Sequence, residues 1–405
     1  MGLLFKDDLL DEFGSWALSY IPYGGPEFAE IQEVGAQVGD GDACAFNKAW
    51  IAAGDRRFSQ AEDAKKSGHI ATARDQYLRA SAFYACSFHP LYGKPVNPLL
   101  LAAFEKQINA LNAAFALFDP PVLPLSIPFE GASMAAYFIP AADAPRSKRP
   151  TIIFTNGFDA TITDLYFLCV VAASRRGYHS LVFDGPGQGA MLYQQNVPMR
   201  PDWEAPVSAA VDFALTLPEV DASHLILSGT SLGGYLAPRA ASAEHRLAAC
   251  IADPGQFAIA DSIRPIAVKL GASPASAANL GTLDDSILQT FRHIIEDNAS
   301  LRWKVIQRGF WVFGVDSLRD FLRKSELFTM AGRAEKIRCP TLLTAAESDP
   351  LAAGTKILFD AMTCPKKTIP FVAADSAATH CEMGNRTRFN QVALDWLDEA
   401  LGPPR

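Results

Sequence analysis

The chain has 405 residues, 49% of them hydrophobic and 20% charged, which is the texture of a globular enzyme with one large core and a helical addition. The formal net charge is −8 and no Lys/Arg cluster stands ready to neutralise phosphates, which argues against a nucleic-acid partner. No run of about 18 apolar residues lacks charge or proline, so no membrane span is expected. The first residues carry Lys6, Asp7, Asp8 and Asp11 rather than the basic start and apolar run of a secretion signal, and the reading places the protein in the cytoplasm.

Residues 1 to about 118 read as helical. Ile70, Ala73, Tyr77, Ala80 and Tyr84 recur at three- and four-residue steps, one face of a helix. Leu99 to Phe118, rich in Ala and Leu, is a second helical segment. Asp119-Pro120-Pro121 stops it, because proline supplies no amide donor, and a domain boundary is placed there: 1–120 helical, 121–405 catalytic.

Beyond residue 121 short apolar runs alternate with helical stretches. Val122 to Phe129 and Met134 to Ile139 read as a first strand pair. Thr151 to Thr155, Ser180 to Phe183, Leu225 to Ser228, Leu247 to Ala252, Thr341 to Thr344 and Lys367 to Val372 follow. The later runs are almost uniformly hydrophobic, as in parallel strands covered by helices on both faces, and ligands then bind at the carboxyl ends of the strands. Between Ala252 and Thr341 lie more residues than a crossover needs. This interval, about 254–338, contains Trp303, Phe310, Trp311 and Phe313 and reads as an inserted helical cap.

Gly229-Thr230-Ser231-Leu232-Gly233 fits G-x-S-x-G. A strand reversing sharply into a helix exposes a serine at the tip, and side chains larger than glycine beside it would collide with the turn. The apolar run His224 to Ser228 precedes it and a small-residue helix follows. Ser231 is the candidate nucleophile. It needs a base, and the base an orienting acid, in the chain order Ser, Asp or Glu, His. Beyond Ser231 and its adjoining helix lie His293, in a charged helical stretch of the cap, and His380, in the loop after the last strand. His380 is the candidate base. Asp349 is favoured as the acid, with Glu347 the runner-up and Asp375 a weaker choice. The backbone N–H groups of Leu232 and Phe158 are the candidate oxyanion donors, and Asp159 beside Phe158 has the bland alternative of a helix cap.

Asp184-Gly185-Pro186-Gly187-Gln188-Gly189 lacks the pattern of a phosphate-binding loop and reads as a tight turn. The seven cysteines are scattered, with no C-x-x-C pair, and read as reduced, mostly buried thiols. No metal cluster and no cofactor motif is visible.

Asn156-Gly157-Phe158-Asp159, Phe183 to Gly189, Pro201-Asp202-Trp203-Glu204, Gly229 to Tyr235, Cys339-Pro340-Thr341, Glu347-Ser348-Asp349 and His380-Cys381-Glu382 together carry a resemblance. The chain resembles α/β-hydrolases with an N-terminal helical domain, the group of the dihydroxypseudooxynicotine hydrolases and the fungal heptaketide chain-shortening hydrolases. The resemblance implies the α/β-hydrolase fold, a Ser231–Asp349–His380 triad, and cleavage of a carbon–carbon bond next to a ketone in an acyl-arene or β-diketone. It also implies a possible homodimer and, in some relatives, an assisting cap carboxylate, for which Asp261 is a candidate. An ester or thioester hydrolase with the same triad is the alternative, and a non-hydrolytic pathway enzyme or binding module a further one. The substrate is expected to be a small carbonyl compound, aromatic or apolar.

Overall fold

The computed structural model describes residues 2–404. Eight strands form one sheet in the order β1-β2-β4-β3-β5-β6-β7-β8. They are β1 (Pro124–Phe129), β2 (Ala132–Ile139), β3 (Arg149–Thr155), β4 (His179–Phe183), β5 (Val220–Thr230), β6 (Leu247–Asp253), β7 (Thr341–Ala346) and β8 (Lys366–Phe371). β1 pairs antiparallel with β2, and β2 with β4; every other pairing is parallel.

Burial follows position in the sheet. All five residues of β4 are buried, as are the last five of β3 and of β6. β1 and β8, at the two edges, alternate or stay largely open, and the exposed Lys367 gives the β8 edge a charge that discourages pairing with another chain. β5 starts five residues before its apolar run. Asp221, Ala222 and Ser223 are polar or exposed, so hydrophobicity does not mark them, and a register shift between Leu225 and Ile226 separates this entry from the buried part.

The front of the chain is helical, with long helices over Ala43–Lys66, Ile70–Cys86 and Pro98–Phe115. Asp42 and Asn97 cap the first and third by accepting from the first free backbone N–H groups. Ala73, Tyr77, Ala80 and Tyr84 are buried as the spacing predicts, but Ile70, in the first turn, is exposed. One continuous apolar core includes these helices, the sheet and the inserted helices. Buried polar contacts cross from the front to the sheet layer: Tyr20 donates to Asp164 (2.5 Å), Gln107 to Thr161 (2.7 Å), and Ser81 meets Thr163 (2.9 Å).

The long interval before β7 contains helices Arg264–Lys269, Pro274–Ala278, Asp285–Asp297 and Leu318–Glu326. Between the last two, a π-helical turn over Arg302–Gly309 leads into Phe310–Phe313. Trp303, Trp311 and Phe313 are buried and Phe310 is half-buried. Trp303 Nε1 donates to the His89 carbonyl (2.8 Å) and Gln307 to the Pro90 carbonyl (2.8 Å), fastening the insertion to the front helices.

Candidate active site

Six strand ends converge on one edge of the sheet, and the loops that follow β3, β5, β7 and β8 bring the singled-out residues together. Ser231 follows β5 and is half-buried, with φ of +60°, the left-handed region that L-residues other than glycine avoid. Its N–H donates to the Asp253 carbonyl at the end of β6 (2.7 Å). The glycines around it are required by contact. A Cβ at Gly229 would lie 1.9 Å from the Gly233 carbonyl oxygen, and one at Gly234 would lie 1.8 Å from that of Pro254. The strand, the turn and the helix Gly233–Ala241 touch main chain to main chain.

His380 Nε2 lies 3.0 Å from Ser231 Oγ, and its Nδ1 lies 2.7 Å from Asp349 Oδ2. The Asp349 carboxylate is almost wholly buried, and its other oxygen accepts the Leu351 N–H (2.9 Å). Burial by itself would lower the imidazole pKa. The hydrogen bond and charge of Asp349, with Asp253 and Asp159 beyond, outweigh it, so His380 is raised above the ordinary histidine value. Glu347 is turned away and accepts the Ala373 N–H (3.0 Å). Asp375 offers its carbonyl to Asn385 (2.9 Å) and does not join the chain. His293 is exposed on the helix Asp285–Asp297. Asp261 pairs with Arg264 (2.9 Å), and burial raises its carboxyl pKa.

The loop after β3 presses on the serine turn. A Cβ at Gly157 would come 2.7 Å from Leu232 N and 3.0 Å from Ser231 Oγ, so only glycine lets this loop approach. Phe158 follows at once. Among the described residues, neither the Leu232 nor the Phe158 N–H donates to a backbone or side-chain acceptor. Gln188, in the turn after β4, holds the loop from behind: its Nε2 donates to the carbonyls of Asn156 (2.7 Å) and Gly157 (3.0 Å), while its Oε1 accepts the Gly185 N–H (3.0 Å). That turn is tight, as read from the sequence, and its glycines are enforced by contacts with Trp203, Met199 and Asp184. Asp184 is fully buried, and desolvation pushes its carboxyl up to about 7.

Three residues with no sequence signal complete the surroundings. Asp253, besides accepting the Ser231 N–H, accepts from Thr344 (2.9 Å) and from Arg386 (2.5 Å) through its carboxylate. Arg386 is fully buried and also donates to the carbonyl of Cys381, the neighbour of His380 (2.8 Å). Arg308 of the insertion pairs with Asp159. Gln188 was at least visible as the one amide in a glycine-rich turn. The others become meaningful only once distant segments meet.

Among the described residues no group of three His, Cys, Asp or Glu side chains is placed to hold a metal ion, and all seven cysteines are free, six of them buried. No helix among them is long and apolar enough to cross a membrane.

A mostly parallel sheet whose central strand turns sharply into a helix at a serine, with an acid and a histidine on the last two strand loops, defines the α/β-hydrolase class. Residues 152–392 match the alpha/beta hydrolase family, and the chain belongs to it. It is 32% identical over 427 aligned positions to Hydrolase ORFZ of Pyricularia oryzae, covering 99% of this chain and 98% of that one. It is also 32% identical over 344 positions to the 20-hydroxy-prefusarin hydrolase of Gibberella moniliformis, covering 81% and 80% of the two chains. A crystal structure of a 2,6-dihydroxy-pseudo-oxynicotine hydrolase shares the fold with a TM-score of 0.74 at 20% identity, over 95% of each chain. The protein is accordingly a hydrolase with the helical front segment foreseen from its sequence.

Proposed function

We propose that this chain hydrolyses a small carbonyl compound through Ser231, cleaving a carbon–carbon bond next to a ketone. One observation carries the reading: the unbroken chain of hydrogen bonds from Ser231 Oγ through His380 to Asp349 at the strand ends. Ser231 Oγ adds to the carbonyl carbon as its proton passes to His380 Nε2. Asp349 holds the imidazole in the tautomer that leaves Nε2 free and stabilises the imidazolium that forms. The Leu232 and Phe158 N–H groups receive the oxyanion. When the tetrahedral adduct collapses, the C–C bond breaks, and the leaving carbanion, stabilised as an enolate or arene anion, takes the proton from His380. Water, deprotonated by the same nitrogen, then attacks the acyl-serine, releasing a carboxylic acid and restoring Ser231.

The half-buried Phe158 ring on the oxyanion loop supports an apolar or aromatic substrate. The relative named as a 20-hydroxy-prefusarin hydrolase makes 20-hydroxy-prefusarin one compound to try. The test is turnover of matched β-diketone, acyl-arene, ester and thioester panels with product analysis, alongside Ser231→Ala. Formation of an acid plus a shortened ketone or arene, lost in Ser231→Ala, is the expected result. Turnover of esters or thioesters alone would replace C–C cleavage with acyl-ester hydrolysis. Failure of a fluorophosphonate to label Ser231 in folded protein would remove the nucleophile itself.

A further inference from the structure

The Phe158–Asp159 step of the oxyanion loop is gripped by two segments that are not part of the sheet. From the insertion, the Arg308 guanidinium pairs with the Asp159 carboxylate and lies 4.8 Å from the centre of the Phe158 ring. It also lies 4.8 Å from the centre of the Trp303 ring. Phe313 closes on Phe158 from the same insertion. From the front segment, Tyr92 OH donates to the Asp159 carbonyl (2.6 Å) and meets Tyr193 OH (2.5 Å). Both the Asp159 carboxylate and Tyr92 are buried, so these contacts act in a weakly screened setting. The peptide that bears the Phe158 N–H is thus flanked by a ring and a carboxylate which Arg308 holds at once.

We infer that Arg308, with Tyr92, is a positioning residue that sets the aim of the Phe158 N–H, so that the insertion and the front helices complete the oxyanion hole rather than only covering it. The inference rests on the nucleophilic reading of Ser231. Arg308 itself touches no reacting atom. Its effect is transmitted through the backbone of residues 158 and 159, and it should be felt where negative charge develops, in the rate of the bond-making step rather than in binding.

Fluorophosphonate labelling of the full chain reads that step directly: Ser231 Oγ bonds to phosphorus, fluoride leaves, the serine proton goes to His380, and the phosphoryl oxygen takes the oxyanion position. Arg308→Met should lower the maximal labelling rate by at least ~10-fold, part of the ~10²–10³-fold associated with losing one oxyanion donor, with the half-saturating probe concentration little moved. Arg308→Lys, which keeps the ion pair, should recover most of the rate. Asp159→Asn should also be slow, and Arg308→Met/Asp159→Asn no slower than the worse single variant, because the two side chains act as one unit. Tyr92→Phe, which removes one hydroxyl and little packing, should give a smaller loss of the same kind and serves if Arg308→Met does not fold. Labelling of Arg308→Met and Tyr92→Phe at the full rate would overturn the inference while leaving the nucleophile intact. No labelling of the unaltered protein would overturn both. A loss confined to half-saturation would make Arg308 a binding residue and also overturn it.

Discussion

Ser231 sits in a backbone conformation that costs a non-glycine residue on the order of 1 kcal/mol or more, and three contacts keep it there: its own N–H on Asp253, and the two glycines that allow the main chains to meet. The histidine opposite is tuned in a definite direction. Since Asp349 raises the His380 pKa, the imidazolium persists to higher pH than an ordinary histidine would allow. Turnover requires the neutral form, so the acid limb of the pH–kcat/KM profile should fall above pH ~6.5. Asp349→Asn removes the charge that raises the pKa, so the limb should move to lower pH while the rate drops by about 10³–10⁴-fold. A limb that does not move would separate Asp349 from the titration. Gly157→Ala is the complementary test. The added methyl would crowd Leu232 N and Ser231 Oγ, at the nucleophile turn itself. It should lower stability in urea by about 1–3 kcal/mol, leaving the protein folded, and cut turnover by ~10²-fold or more.

Much of this was legible at the level of single residues, for a physical reason. Ser231, His380 and Asp349 stand in loops directly after apolar runs, so sequence position translates into spatial position with few choices. Glu347 was the hard case. It is two residues from Asp349 and chemically equivalent, and only the turn at Asp349-Pro350 decides that it faces Ala373 instead of His380. Arg386 illustrates the opposite situation. Nothing in its neighbourhood of the helix Arg386–Leu401 distinguishes it from an exposed arginine, and its role depends on Asp253, 133 positions away.

At the scale of elements, the sheet was readable and the turns behind it were not. The eight apolar runs became eight strands, with bounds that moved by one or two residues, and by five where β5 begins with residues that hydrophobicity does not mark. The turn after β4 was legible as a turn, but its use as a support for the oxyanion loop was not. That use makes a prediction. Gln188→Leu keeps the volume and removes both donations to the carbonyls of Asn156 and Gly157. It should reduce kcat by roughly 10-fold and destabilise by about 1–3 kcal/mol, since two buried acceptors lose their donor. Unchanged kcat in folded Gln188→Leu would show the loop to be held by its other contacts. Asp184, in the same turn, adds a pH signature. Its folded pKa of about 7 lies above the unfolded value, so the native state favours the protonated acid. This contribution is fully present below pH ~4 and is lost as pH rises toward 7. Asp184→Asn should flatten the fall in stability over that window, as followed by chemical denaturation at a series of pH values.

At the scale of the whole molecule, the apolar core runs without interruption from the front helices through the sheet to the insertion. Thr161, Thr163 and Asp164 take buried partners from Gln107, Ser81 and Tyr20. A chain cut at residue 119 would strip these groups of their partners and expose to water the apolar surface that the front helices cover. The fragment 119–405 is therefore expected not to fold alone, and the full chain to unfold in one step, with fluorescence and circular dichroism midpoints in urea coinciding. Two separated transitions would count against that.

The ion pair between Arg308 and Asp159 bears on how such enzymes could be recombined. One partner lies in the inserted helices and the other in the sheet layer, and Tyr92, from a third stretch of chain, reaches the same spot. An exchange of the insertion between relatives, made to borrow a new substrate range, would import a stranger to that junction. Success should track whether position 308 of the donor can still meet an acid at 159, more closely than it tracks overall similarity of the exchanged helices. Specificity in this architecture is portable only together with the residues that receive it.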